Sequence, residues 1–340
     1  MNWETVPWCE CDSRSLAESQ LKPGDIVFAR TGATTGKSYL IKDCPPETVF
    51  ASYLIRVRVR ENVEPRYVSH FFQTTDYWSQ ITRGSRGAAQ PGVNATTLKT
   101  LEIPVPPLPE QRRIAAILDQ ADVLRVMRRV ALVDLDSLTQ SIFIEMFGDP
   151  ATNPKSWPYK SLIGLGNVVT GGTPPSSKPG MFEGPIPFVT PGDLESDESV
   201  KRSLTTEGAK ESRTVRAGST LVCCIGATIG KMGIARVQSA FNQQLNAVEW
   251  TGEIDDIYGY AALRFFKPTI RAWGASTTLP ILKKSSFEKI EIPVPPVSLQ
   301  REFAEKVKAA EKLRVAHKSS LAELDDLFVS LQNLAFKGGL

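Results

Sequence analysis

The sequence predicts an α+β protein in which two mixed α/β domains are separated by a long antiparallel two-helix coiled coil, with an internal pseudo-twofold repeat. Three observations carry this expectation. "LKPGDIVFARTGATTGK" (Leu21–Lys37) aligns with "VRAGSTLVCCIGATIGK" (Val215–Lys231) 194 residues later, and "LKTLEIPVPPLPEQRR" (Leu98–Arg113) aligns with "FEKIEIPVPPVSLQRE" (Phe287–Glu302) 189 residues later. Repetition at a fixed period is read before local structure, because it decides the architecture. Each copy then reaches a proline barrier, Pro104, Pro106, Pro107 and Pro109 in the first and Pro293, Pro295 and Pro296 in the second. There a helix cannot continue and the chain is held extended. A long amphipathic pattern follows each barrier.

The elements follow in order. Residues 1–108 form the first domain, with short β-branched runs such as "DIVFAR" and "SYLIRVRVR" punctuated by glycine and proline. The central helix spans 109–148. Proline opens it, Glu110 suits its positive end, and Gly148 before Asp-Pro closes it. Its apolar stripe reads Ile117, Ala121, Leu124, Met127, Ala131, Leu135, Leu138, Ile142 and Met146. Residues 149–157 are a linker, and 158–297 form the second domain, with "TLVCCIG" and "LNAVEW" as its clearest strands. The last helix, 298–337, carries Phe303, Val307, Ala310, Leu313, Leu321, Leu324, Phe328 and Leu331. Each helix would be roughly 58 Å long at 1.5 Å per residue, too long to be covered by one domain and unstable when wet on all sides. The two are therefore expected to bury their stripes on each other, antiparallel, with the domains at opposite ends. By the internal alignment Met1 falls opposite about Glu195, so the first copy has no counterpart of Trp157–Leu194.

Bulk properties narrow the function. A length of 340 residues suits two cores, and no apolar run is long enough to span a membrane. "MNWETVPWCE" carries no export signal, so a cytoplasmic location is expected. Cys9, Cys11, Cys44, Cys223 and Cys224 form no CxxC pair and are read as reduced thiols. His70 and His317 have no evident catalytic partner and are read as packing or surface residues. "RTGATTGKS" (Arg30–Ser38) imitates a phosphate-binding loop. Only three residues separate Gly32 from Gly36, however, and Met232 replaces the metal-binding hydroxyl in the second copy. The loop is one residue too short to wrap phosphates, and Gly32, Gly36, Gly226 and Gly230 are read as turn residues.

The layout and four stretches resemble the specificity subunit of Type I restriction-modification systems. They are "IPVPPLPEQRRIAAILDQADVLRVMRR" (Ile103–Arg129), "SIFIEMFGDPATNPKSWP" (Ser141–Pro158), "VTGGTPPSSKPGMFEGPIPFVTPGDL" (Val169–Leu194), and "GATIGK" with "FNQQLNAV". The resemblance covers nearly the whole chain. It implies two target-recognition domains, each reading one half of a split double-stranded DNA site, with the helix pair setting the gap. It also implies two docked methyltransferase subunits and a motor-nuclease subunit. S-adenosylmethionine, ATP and magnesium would then belong to those partners and no cofactor to this chain, a non-catalytic subunit. The residues agree: the Pro-Pro pairs read "CPPE", "VPPL", "TPPS" and "VPPV", none of them the Asn/Asp-Pro-Pro-Tyr/Phe loop that grips a flipped adenine. A helical spacer or adaptor whose domains bind protein is the competing reading.

If DNA is the ligand, phosphate contacts supply affinity and base-edge contacts supply sequence choice. The net charge is only +3, and Pro109–Phe147 and Ser298–Phe336 together carry −1, so the remainder of the chain carries +4 and domain faces must concentrate it. Candidates in the first domain are Thr34, Thr35, Lys37, Arg83, Ser85, Arg86 and Gln90. Those in the second are Thr228, Lys231, Arg236, Asn242, Gln243, Gln244, Ser276, Thr277, Lys283 and Lys284. Arg and Lys suit guanine edges or phosphates, Asn and Gln suit adenine, and the Gly-Ser-Thr loop Gly274–Thr278 lets the backbone approach closely. "RVRVR" (Arg56–Arg60) is either a phosphate track or the wet face of a sheet. Ile114, Leu118, Val123, Leu132 and Phe143, off the stripe, are offered to partner subunits.

Overall fold

The computed structural model describes residues 2–84, 93–196, 198–274 and 280–340. Packing divides the chain into two compact units, Met1–Ala131 with Ala316–Leu340, and Leu132–Val315. The expected division set both long helices apart from the domains; each unit instead combines one β domain with part of each long helix.

The first unit holds α1 (Ser13–Ser19) and the strands β1 (Ile26–Ala29), β2 (Ser38–Leu40) and β3 (Leu54–Val57). The strands form an antiparallel sheet in the order β2-β1-β3. Helices α2 (Pro65–Phe71), α3 (Thr75–Gly84) and α4 (Ala95–Lys99) lead to α5 (Leu108–Phe147). Its core gathers Ile26, Phe28, Tyr67, Phe71, Tyr77, Ile114, Leu118, Phe328 and Phe336. Asp25 and Arg58 form a two-pronged ion pair at 2.7 and 2.8 Å. Burial alone would raise the Asp25 carboxyl, but the Arg58 hydrogen bonds, the Lys22 amide and the charges of Arg58 and Arg56 outweigh it and hold the pKa below its ordinary value. Arg56 bonds the Gln20 carbonyl and lies over the Phe50 ring. Two arginines of "RVRVR", Arg56 and Arg58, therefore help to hold the fold.

The second unit begins with β4 (Tyr159–Ser161), α6 (Leu162–Leu165), β5 (Gly166–Thr170), β6 (Phe182–Val189) and β7 (Ser203–Leu204). It continues through α7 (Thr206–Glu211), β8 (Thr214–Val215), β9 (Thr220–Cys223), β10 (Met232–Ile234), β11 (Ser239–Phe241) and β12 (Leu245–Trp250). Then come α8 (Asp256–Phe265), α9 (Lys267–Gly274), α10 (Lys284–Phe287), β13 (Glu291–Pro293) and α11 (Val297–Lys337). The sheets run β10-β9-β12-β5, β7-β6-β11-β8 and β13-β4.

The repeat is visible bond by bond. The Gly24 amide donates to Ile41 and the Gly218 amide to Ala235, both at 2.8 Å. The Tyr67 hydroxyl donates to the Pro104 carbonyl as the Tyr258 hydroxyl does to Pro293. Burial pushes the Tyr67 phenol up to about 12, so it stays a donor. Gln111 and Gln300, the glutamines four residues past the two "EIPVPP" runs, are buried clasps. Gln111 donates to the Asn62 and Pro106 carbonyls and accepts from the Glu64 amide; Gln300 repeats this with Glu253, Pro295 and Asp255. Each ties the first turn of a long helix to the proline segment and to the start of a domain helix.

Both long helices match their expected spans to within a residue, and most of the expected stripe is buried or half-buried, Ala121, Phe303, Ala310 and Phe328 among it; the seam departs from the stripe at a few positions only. In the first unit Arg125 bonds Asp325 at 2.6 Å, and Arg128 bonds His317 at 2.9 Å; partner numbers fall as α5 numbers rise, so the helices run antiparallel. Arg125 also covers the Phe328 ring at 4.2 Å. Leu124, Met127, Leu138 and Leu313, expected in the stripe, are exposed, whereas Ile114, Leu118 and Phe143, expected to be free for partners, are buried. Leu132 is half-buried, and Val123 is exposed as expected. The reason is that seam positions 125 and 128 hold arginines, whose stems pack while their heads pair. An apolar-only stripe drifts off them. In the second unit Phe143 and Phe147 meet Phe303 edge-on. His70 bonds Asp119 and lies near Phe328, the packing role expected for both histidines.

Candidate nucleic-acid interface

The "GATxGK" stretches are hairpin loops, joining β1 to β2 and β9 to β10. Gly32, Gly36, Gly226 and Gly230 sit at φ +82°, +82°, +92° and +85°, the left-handed region that glycine tolerates. The Thr35, Gly36 and Lys37 amides donate to Gly32, Thr34 or Ala29 carbonyls within the hairpin, and Ile229, Gly230 and Lys231 repeat this in the second unit. Amides spent this way cannot cradle phosphate, so the turn explains the motif.

In the second unit three segments meet at this loop end of the sheet. The Cys224 amide donates to Gln244, the Leu282 amide to Cys224 and the Gly226 amide to Pro280, each at 2.8 Å. Asn242, Gln243 and Gln244 form the turn into β12. Asn242 accepts from the Gln244 amide and donates to the Gln244 side chain at 3.0 Å, which fixes both side-chain amides. Gln243 is exposed and accepts from Thr173. Lys283 is exposed at the N-cap of α10, and Lys284 pairs with Glu288 at 3.5 Å. Thr228 shares a hydrogen bond with Cys223 under the hairpin, and Lys231 is half-buried at its base. Burial pushes the Cys224 thiol up to about 12, so it is an inert core group here. Arg236 does not join the set. It follows β10, and the register Ile234↔Thr220 puts it at the opposite end of the β9–β10 pair, because one short strand carries the chain across the sheet.

The first unit builds the same end. The Arg30 amide donates to Tyr53, and the Val93 amide donates to Arg30. Thr34 and Lys37 are exposed, while the Thr35 hydroxyl is spent on the Gly32 carbonyl. Arg83 is exposed on α3, where it bonds the Ser79 carbonyl of its own helix. Ser85, Arg86, Gln90, Ser276 and Thr277 lie outside the described residues. The structure adds Arg30, Tyr53 and Trp78 to the first end, and Thr173 and Arg271 to the second. Tyr53 is 64% exposed, Trp78 lies against Gly36, and Arg271 bonds the Ile229 carbonyl beside Gly230. A third alignment step, at an offset of 191, places Tyr53 opposite Gln244; that was the signal available for it.

A sequence model of the Type I restriction modification DNA specificity domain matches residues 16–126 and 154–324. A Methanocaldococcus jannaschii chain provisionally designated the specificity subunit of the type I restriction enzyme MjaX is 25% identical, over 95% of this chain and 80% of that one. The HindI specificity subunit of Haemophilus influenzae is 28% identical over 45% of this chain and 35% of its own length. Among solved structures, the Type I restriction-modification S subunit from M. genitalium superposes with a TM-score of 0.64 at 16% identity, covering 94% of this chain and 84% of that one. A chain solved in work on assembly and conformational transition of the type I system gives 0.60 at 22% identity, covering 94% and 83%. At such identities the structural likeness speaks for the fold; the matched sequence model, spanning most of both repeats, decides membership. The chain belongs to the Type I restriction-modification DNA specificity family.

Proposed function

We propose that each unit presents the loop end of its sheet to one half of a bipartite double-stranded DNA site. One observation carries this reading: the same hydrogen-bonded platform occurs in both units with different side chains at its edge. Asn242, Gln243 and Gln244 occupy one platform, and Ala51, Ser52 and Tyr53 occupy the other. A duplicated frame with unlike reading edges suits two unlike half-sites. In this reading Gln243 would meet the edge of an adenine, and Lys37, Lys231 and Lys283 would meet phosphates or guanine.

In this reading the helix pair sets the gap between half-sites and docks two methyltransferase subunits, with a motor-nuclease subunit joining them. Val123, Val126, Met127 and Val130 on α5 are exposed apolar side chains that such a partner would cover. S-adenosylmethionine, ATP and magnesium would reside on those subunits, this chain would catalyse nothing alone, and the complex would work in the cytoplasm. No helix among the described residues is long and apolar enough to cross a membrane. The family match supports DNA reading and lends nothing to the protein-only adaptor.

The test is selection from a random duplex pool by the chain assembled with its methyltransferase subunits. The expected result is a bipartite motif. Lys37→Ala and Lys231→Ala should each reduce the slope of log K against log salt by about 1. A pool with no bipartite enrichment would overturn the reading.

A further inference from the structure

The turn Asn242–Gln244 is where two sheets of the second unit meet, because it joins β11 of one to β12 of the other. Three further segments reach it. β6 runs parallel to β11, and the Asn242 amide donates to the Val189 carbonyl at 3.0 Å. β5 runs antiparallel to β12 and leaves through Gly171 and Gly172, whose amides donate to the Leu245 and Phe241 carbonyls. A Cβ on Gly171 would fall 2.1 Å from the Asn242 carbonyl oxygen, so glycine lets the two turns lie this close. β8 runs antiparallel to β11 with Thr214 opposite Ala240, which sets Arg213 just outside the last residue pair, at the Asn242 end. The Ser212 hydroxyl donates to the Gly172 carbonyl and holds the chain there.

Arg213 is exposed and unspent. Among the described residues it pairs with no carboxylate and covers no ring; its one side-chain hydrogen bond runs from Nη1 to the adjacent Ser212 carbonyl at 3.2 Å. Other arginines of the unit are occupied. Arg216 grips Asp256 at 2.7 and 2.8 Å, Arg202 lies over the Phe182 and Phe188 rings, and Arg264 lies over Tyr260. The acid nearest in sequence, Glu211, is taken by Lys178 at 2.7 Å. The internal repeat marks the same position as variable. At an offset of 194, Ser19 stands in the first unit where Arg213 stands in the second, and Gln20 bridges Val49 as Thr214 pairs with Ala240.

We propose that Arg213 is a specificity-determining residue whose guanidinium reads a guanine in the half-site met by the second unit. The inference rests on the DNA reading of that unit. A guanidinium presents two parallel donors that match O6 and N7 of guanine in the major groove. Sequence choice needs a donor held in position. Here Ser212 and Thr214, on either side of Arg213, are tied to the frame, and Gln243 in the neighbouring turn is held by Thr173. Lys231 stands on the other side of the turn, in the hairpin between β9 and β10. Its flexible ammonium suits a phosphate, whereas the planar fork of Arg213 suits a base edge.

The experiment compares wild type, Arg213→Ser and Arg213→Lys, each assembled with the methyltransferase subunits and selected on a random duplex pool. Serine is the residue the first unit uses on the same frame, and lysine keeps the charge without the fork. Both variants should lose the preference for guanine at one position, within the half-site that Gln243→Ala also relaxes, and keep the rest of the motif. Affinity of the serine variant for the wild-type site should fall roughly 5–150-fold. Replacing that guanine by 7-deazaguanine, which lacks the N7 acceptor, should weaken wild type and leave Arg213→Ser unchanged. An unaltered motif in both variants overturns the inference and leaves the DNA reading standing. So does an equal loss on all sequences with a shallower salt dependence, the mark of a phosphate contact, or relaxation confined to the other half-site. A wild-type pool without a bipartite motif overturns the DNA reading and the inference with it.

Discussion

Gln300→Ala should destabilise the second unit by about 3–4 kcal/mol, a value that follows from the number of bonds it makes. The side chain is 0% exposed and makes three hydrogen bonds, donating to Glu253 at 3.0 Å and Pro295 at 2.8 Å and accepting from the Asp255 amide at 2.8 Å. Each contributes about 1 kcal/mol net, and removal leaves two carbonyls and an amide unpaired in a site closed to water. Asp255 caps α8 by accepting from the Ile257 and Tyr258 amides, so a loosened Asp255 should fray the first turn of that helix as well. Urea denaturation gives the magnitude, and hydrogen exchange at the first turn of α8 gives the location. Gln300→Glu keeps the shape but turns a donor into an acceptor facing two carbonyls, and should cost at least as much. A loss below about 1 kcal/mol for the alanine variant, or wild-type stability for the glutamate variant, would refute the clasp.

Four further outcomes are expected. Phe143→Ala should cost about 3–5 kcal/mol, since the ring is fully buried among Phe147, Tyr258 and Phe303. Met127→Ala, 62% exposed, should stay within about 0.5 kcal/mol in the same urea titration, which marks it as a stripe position outside the seam. Gly36→Ala combines φ +82° with a Cβ 3.0 Å from the Trp78 ring, whereas Gly32→Ala has the same φ and open space. Gly32→Ala should cost about 1 kcal/mol from backbone strain, and Gly36→Ala more, by thermal unfolding. The Asp25 pKa is depressed in the folded chain, so its contribution to stability is complete above 3.8 and is lost as pH falls through the lower folded value. The destabilisation caused by Asp25→Asn should thus be full at neutral pH and shrink below about pH 4; a penalty independent of pH would disprove the linkage.

Sequence alone determined the duplication, the two long helices and the turns. These are local or periodic properties: "EIPVPP" stops a helix wherever it stands, and a left-handed hairpin position demands glycine at Gly36 and Gly230 alike. Tertiary structure decided which helix face became the seam. Arg125 and Arg128 are polar by composition, but Asp325 and His317 across the seam give them partners, and no reading of one helix contains the other. It also decided which polar residues share a loop end. Arg236 and Lys231 are near in sequence, yet one three-residue strand sets them at opposite ends of the β9–β10 pair, while Lys283 is brought beside Cys224 through the neighbouring Leu282 amide. Side-chain neighbours in a sheet follow from strand register, which is set by pairing between distant segments, so a site assembled from three loops emerges only once the chain has folded.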